Sequence, residues 1–222
     1  SRRQRQMCIR DSVINDHSSD ATLKILNLLK NSIHELKIIN NTGKPGYGLT
    51  VRLGLENYSG EIIAIMMADG SDSPKDLIKF YFKSIKNNTC IFGSRFMDGG
   101  STKDYPKLKY ALNRIFNNLV RLIFQIRYND FTNAFKVYTK EAIEGSKPFL
   151  SNHFNLTLEL PLKIIIRGYN YEVVPNSWRN RKTGISKMKI KEMGSRYIFI
   201  LFYCLIEKFL TKNDYKKNKY IN

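Results

Sequence analysis

Residues 62–74 read Ile-Ile-Ala-Ile-Met-Met-Ala-Asp-Gly-Ser-Asp-Ser-Pro, and the fold turns on how this stretch is read. The segment 62–67 holds no polar residue, as a strand covered on both faces requires, and it reads as the central strand of a mostly parallel sheet. It stops at Asp69, Gly70, Ser71 and Asp72, and Pro74 then suits the first turn of a helix, where a missing N–H costs nothing. An Asp at the carboxyl end of a parallel strand faces the crevice in which such sheets bind ligands. Asp69, Ser71 and Asp72 offer hard oxygen ligands fit for Mg2+ or Mn2+ held together with phosphates. The same side chains just ahead of Pro74 would also serve as a plain helix cap.

Outward from this stretch, short apolar runs alternate with amphipathic ones, the pattern of an α/β domain. Upstream lie a strand at 13–15, a helix from about Asp20 with Leu23, Leu26, Leu29 and Ile33 at helical spacing, and a strand at 36–39. A Gly/Lys loop at 43–48 and a helix to about Tyr58 follow. Downstream, a strand near 90–92 leads through a Gly-rich loop to a long helix at 107–126. Its Leu112, Ile115, Phe116, Leu119, Leu122 and Ile123 form one apolar stripe. A strand at 134–138, a helix at 155–166 and a strand at 171–174 complete the body. The last apolar run, 197–206, is far shorter than the roughly 20 residues a membrane span needs. It reads either as a docking helix or as one lying in the lipid headgroup layer.

Across 222 residues, 37 Lys and Arg against 19 Asp and Glu give a net charge of +18, which calls for an anionic partner. Residues 178–191 hold six bases (Arg179, Arg181, Lys182, Lys187, Lys189 and Lys191) and no acid, the composition of a phosphate-facing segment. Cys8, Cys90 and Cys204 are odd in number and in no CxxC spacing, and the three histidines form no ligand pattern. A reducing, cytoplasmic setting follows. Residues 1–12 carry four arginines and read as a foreign or disordered basic segment. Residues 13–192 read as the body, 193–211 as an apolar terminal helix and 212–222 as a disordered basic tail.

Several segments taken in order resemble the dolichol-phosphate mannose synthase-like branch of family 2 glycosyltransferases, which have the GT-A nucleotide-sugar-binding fold. They are Val-Ile-Asn-Asp-His-Ser-Ser-Asp-Ala-Thr (13–22), Asn-Thr-Gly-Lys-Pro-Gly-Tyr-Gly (41–48), Met-Met-Ala-Asp-Gly-Ser-Asp-Ser-Pro (66–74) and Gly-Ser-Arg-Phe-Met-Asp-Gly-Gly (93–100). Asp-Phe-Thr-Asn-Ala-Phe-Lys-Val-Tyr (130–138) and Arg-Lys-Thr-Gly-Ile-Ser-Lys (181–187) follow. Each is weak alone; their order and spacing over about 175 residues carry the resemblance.

The resemblance implies an inverting transfer from a GDP- or UDP-sugar to a polyprenyl phosphate by an enzyme peripheral at the membrane. Asp16, Arg181, Ser186 and Lys187 would bind the donor. Asp69 would hold the metal, assisted by Ser71 or Asp72, while Arg95 and Lys109 face the reacting phosphates and Asp130 orients the acceptor, ahead of Glu159. Met67 stands where the family has an Asp, which removes one expected carboxylate. The family's first strand is also missing, so the chain is expected to be an amino-terminally truncated piece. A catalytically impaired transferase-like subunit is one alternative. A nucleic-acid-binding protein is another, disfavoured because the bases adjoin Gly-rich and acidic phosphate-site motifs rather than a recognition helix.

Overall fold

The computed structural model of the protein describes residues 10–181, 190–211 and 214–217, which form two compact units divided after Gly60. The first unit contains β1 (Asp11–Asn15), α1 (Thr22–Lys30), β2 (Leu36–Asn40) and α2 (Tyr47–Glu56). β1 and β2 pair in parallel, Val13 opposite Ile38, with α1 as the crossover that a parallel pair requires. Asp11 and Ser12 pair with Leu36 and Lys37, so the boundary expected after Ser12 falls inside a strand. The backbone hydrogen bonds of the parallel ladder, not the local composition, set where β1 begins.

The second unit runs β3 (Ile62–Ile65), α3 (Pro74–Asn87), β4 (Cys90–Ser94), β5 (Ser101–Lys103), α4 (Lys107–Phe124), β6 (Lys136–Thr139), α5 (Lys140–Gly145), α6 (Leu156–Ile166), β7 (Tyr171–Pro175), β8 (Ser177–Arg179) and α7 (Ile190–Leu210). Its main sheet has the order β3-β6-β4-β7. β4 and β7 are parallel, while β6 runs antiparallel to both β3 and β4. Three strands therefore share one direction. The carboxyl ends of β3, β4 and β7 and the amino end of β6 open onto the same edge, the edge at which α/β sheets bind ligands.

β3 lies at the rim of this sheet and is half-buried, not the central strand its apolar run suggests. The central positions belong to β4 and β6, which are buried along their whole lengths. On one face Phe80 of α3 stacks on Phe135 at 4.8 Å and packs with Ile91, Val137 and Val174. On the other, Phe92 meets Tyr128, Tyr138 and Tyr171. Helix α3 starts as expected, with Pro74 in its first turn.

Helix α4 inverts a naive reading of its stripe. Leu112, Ile115, Leu119 and Leu122 are exposed, whereas Asn117, Val120 and Phe124 are its buried residues. Asn117 turns inward because its amide oxygen accepts the Phe131 N–H and its amide nitrogen donates to Asn113 and Thr132. Helix α7 is pinned by Glu207, whose carboxylate takes both Nε and Nη2 of Arg167 at 2.6 and 2.8 Å. Residues 214–217, expected in a disordered tail, are held in place. The Lys217 N–H donates to the Arg167 carbonyl, its ammonium pairs with Glu141, and Tyr215 covers the Arg167 guanidinium.

Candidate active site

The turn after β3 carries the acidic residues. Asp69 Oδ1 accepts from the Ser71 N–H at 3.1 Å and its hydroxyl at 2.5 Å, and Gly70 supplies the positive φ (+69°) that closes the turn. Asp72 is 5% exposed, and its Oδ1 is buried with no hydrogen-bond partner among the described residues. Burial pushes the Asp72 carboxyl up to about 6, against the pull of a hydrogen bond at the Met67 backbone and of the Arg95 charge. The small parallel sheet β5–β8 buttresses the turn. Trp178 bridges to Asp72, the Arg179 N–H donates to the Ser71 carbonyl, and the Asn180 N–H donates to the Lys103 carbonyl.

At the end of β4, Arg95 is buried and bound to Asp130. Nε and Nη2 reach the two carboxylate oxygens at 2.8 and 2.7 Å, and the Arg95 backbone N–H donates to the same group at 3.0 Å. Asp130, expected to orient an acceptor, has no exposed surface and has both oxygens engaged by Arg95. Its influence on any ligand passes through that guanidinium. Phe96, Tyr105 and Trp178 surround the Arg95 Cζ at 5.2, 5.7 and 5.7 Å.

The peptide before β6 is fixed by amides. Asn133 donates to the Gly93 carbonyl and to Asn176 Oδ1, both at 3.0 Å. A Cβ on Gly93 would come within 2.8 Å of Asn176 Oδ1 and of the Phe135 carbonyl, so only glycine lets β4, β7 and this turn approach so closely. Lys136 begins β6 almost fully buried and donates to the carbonyls of Phe131, Asn133 and Thr157. Burial pushes its ammonium down to about 7, opposed by the Asp130 charge.

The structure thus brings Asp69, Ser71, Asp72, Arg95 and Asp130 to one edge of the second unit's sheet. Lys109 stands half-buried in the first turns of α4. Arg181 is the last residue described before a gap; Ser186 and Lys187 lie outside the described residues. Asp16 belongs to the first unit, where its carboxylate accepts from Asn41 Nδ2 at 2.7 Å and the Gly46 N–H at 3.1 Å, fixing the loop between β2 and α2. Glu159 is structural: it caps the Leu150 and Ser151 N–H groups and pairs with Lys163 in full burial. The sequence reading missed Lys136, Asn133, Tyr105 and Trp178; for Trp178 the one available signal was that it is the sole tryptophan.

The described residues contain no group of three or more His, Cys, Asp or Glu side chains that could hold a metal. Two carboxylates of the 69–72 turn nevertheless suit a hard divalent cation, because Asp72 Oδ1 is a buried anionic oxygen left without a donor.

The family model described as Glycosyl transferase family 2 matches residues 12–146, more than half of the chain. The polyprenol monophosphomannose synthase of Mycolicibacterium smegmatis is 24% identical over 184 residues, covering 79% of this chain and 69% of that protein. The dolichol-phosphate mannosyltransferase of Pyrococcus furiosus is 28% identical over 185 residues, covering 81% of this chain and 50% of that protein. Among solved structures, glucosyl-3-phosphoglycerate synthase from Mycobacterium tuberculosis, determined with phosphoglyceric acid, superposes with a TM-score of 0.62 at 13% identity. That match covers 88% of this chain and 68% of the other. The same enzyme determined with Mn2+, uridine diphosphate and glucosyl-3-phosphoglycerate gives a TM-score of 0.59 at 12% identity, over 90% of this chain and 68% of that one. The structural likeness establishes the GT-A fold.

Proposed function

The chain belongs to glycosyl transferase family 2, and from that premise we propose that it moves a sugar, with inversion, from a GDP- or UDP-linked donor to a polyprenyl phosphate at a membrane surface. The observation that carries the reading is the convergence of the Asp69–Asp72 turn and the Arg95–Asp130 pair on one sheet edge. Two relatives named for polyprenol and dolichol phosphate supply the acceptor class.

In this reading Asp69 and Asp72, with Ser71, would hold Mg2+ or Mn2+, which would supply positive charge to offset that of the leaving diphosphate. The neighbouring fold solved with Mn2+ supports that choice. The resemblance assigns Asp16, Arg181, Ser186 and Lys187 to the donor, and bases so assigned would offset the charge of the departing diphosphate. Asp130 holds Arg95 in one orientation, and Arg95 and Lys109 set the acceptor phosphate in line with the anomeric carbon. That phosphate oxygen is already anionic at neutral pH, so no general base has to remove a proton from it. Inversion follows from a single displacement. The exposed apolar residues of α4 and α7 suit the headgroup layer, while no helix among the described residues is long and apolar enough to cross a membrane.

A second reading has its own observation: Met67 occupies the position of a family carboxylate, and a thioether is a poor ligand for a hard cation. It makes the chain an impaired, transferase-like subunit. Incubation with radiolabelled GDP-mannose or UDP-glucose and a prenyl phosphate separates the two. Label in the lipid fraction, lost by roughly a hundredfold or more in Asp69→Ala and reduced in Arg181→Ala, is the expected outcome. No label from either donor, with Mg2+ or Mn2+ supplied, favours the impaired subunit.

A further inference from the structure

A cavity of about 570 Å3 opens at the amino edge of the second unit's sheet, the edge opposite Asp69 and Arg95. Tyr171, which pairs with Cys90 at the start of β4, forms one wall, and Arg95 follows the far end of that strand. At 3.3 Å per residue the strand sets the two about 17 Å apart. The other walls are the carboxyl ends of α4, α6 and α7. The cavity is therefore separate from the site of the proposed transfer.

Its lining divides into an apolar part and a basic part. Phe124, Ile126, Ile166 and Tyr171 give the apolar interior, with Phe124 1% exposed. Arg127, Lys208 and Lys216 bring three bases from three separate segments. Glu207 is the one carboxylate of the lining, and both its oxygens are taken by Arg167, whose Nη1 donates to the Gly145 and Lys147 carbonyls. That pair cancels. Three helix carboxyl ends alone would favour a cation, since each carries about half a negative charge. Lys208 offsets one of them directly, its ammonium donating to the Phe124 carbonyl at 2.7 Å. Three positive side chains against roughly one and a half negative charges leave a net attraction for an anion. Arg127 stands close enough to Tyr171 for its charge to oppose the upward push that burial gives the phenol, so cation and ring share one wall.

We infer that this cavity is a second binding site, for a phosphate monoester with a small apolar body, held by Arg127, Lys208 and Lys216 at the phosphate and by Phe124, Ile166 and Tyr171 at the body. A monoester carries between one and two negative charges at neutral pH, which matches the charge left over in the lining better than a single carboxylate does. The volume is that of a small-molecule site. Two sources carry this chemistry, a soluble aryl phosphate and the headgroup of phosphatidic acid. The inference does not depend on the transfer reading.

The test is a titration of the isotope-labelled full chain at constant ionic strength, read from its amide spectrum. The amides of Gln125 and Gly168 report the cavity, and the indole N–H of Trp178, the sole tryptophan, reports the opposite edge. Phenyl phosphate and dihexanoyl phosphatidic acid, below its micellar concentration, are expected to shift Gln125 and Gly168 saturably, with inorganic phosphate about tenfold weaker. Arg127→Gln with Lys216→Gln changes two exposed positions. It is expected to weaken both esters by about tenfold or more while the Trp178 response and the thermal midpoint stay as in the wild type. Tighter binding of the phosphatidic acid identifies a lipid source and the reverse order a soluble one; either supports the site. Equal affinity for inorganic phosphate and the esters overturns the inference. So does a response confined to Trp178, one that sodium chloride reproduces, or one that the double variant retains in full. Should the double variant unfold, the order of the three ligands at Gln125 and Gly168 in the wild type still decides.

Discussion

Lys136 brings an ammonium group to the start of β6 with only 1% of the residue exposed, among the carbonyls of Phe131, Asn133 and Thr157. Folding lowers its pKa from the ordinary lysine value of 10.5 to about 7. The unfolded chain therefore binds more protons than the native one between those limits, and native stability rises with pH across that window. Below pH 7 both states are protonated and the cost of burying the charge is paid in full. Lys136→Met removes the titration. Urea unfolding of both proteins from pH 6 to 8.5 is expected to show the wild type gaining about 2 kcal/mol relative to the variant, and parallel curves would refute the assignment. None of this was legible beforehand, because Phe135, Val137 and Tyr138 spell a strand but not the direction in which Lys136 points. The same limit applies to Arg95 and Asp130. They are 35 residues apart, and only the folded sheet joins them as a buried pair.

At the scale of elements, periodicity identified helices and strands but not their surroundings. The apolar stripe of α4 was plain, yet it faces outward, because Asn117 satisfies the Phe131 N–H and draws the opposite face against the domain. The run 62–67 was read as central, yet β3 is an edge, since β6 reverses and inserts between β3 and β4. Helix α7 continues past the carboxyl end of its apolar run, where Arg167 after α6 pairs with Glu207 with 2% and 4% of the two side chains exposed. Removing one member of a buried pair leaves the other uncompensated, at a cost of about 3–5 kcal/mol. For Glu207→Gln, amide exchange of α7 is expected to quicken by about a hundredfold or more while β4 exchanges as in the wild type. A uniform acceleration through β4 would mean that α7 unfolds only with the whole second unit.

For the molecule as a whole, the order of strand, acidic turn and Gly-rich loop was legible because turn-forming residues end the strands at the sheet's carboxyl edge, whereas most of the basic segment lies outside the described residues. The outer surface was less so. α4 and α7 lie side by side in the same direction: Phe116 touches the Tyr197 ring at 5.2 Å, and the Lys208 ammonium donates to the Phe124 carbonyl at 2.7 Å. Their free sides expose Ile115 and Leu122 on α4, and Phe199, Phe202 and Phe209 on α7. The whole chain carries a net charge of +18. The two contributions to lipid binding respond differently to salt. Attraction of the bases to anionic headgroups weakens as the screening length falls from about 8 Å at 0.15 M to about 3 Å at 1 M, whereas burial of phenylalanine and leucine side chains does not. Sedimentation with vesicles containing about 30% phosphatidylglycerol is therefore expected to fall with salt to a residual level rather than to zero. Leu122→Glu with Phe199→Glu should remove that residual at 1 M salt while leaving the thermal unfolding midpoint in place, since both side chains are already 76% and 61% exposed. Complete loss of wild-type binding at 1 M salt would make the chain a plain polycation at the bilayer and would leave the apolar faces of α4 and α7 without a role there.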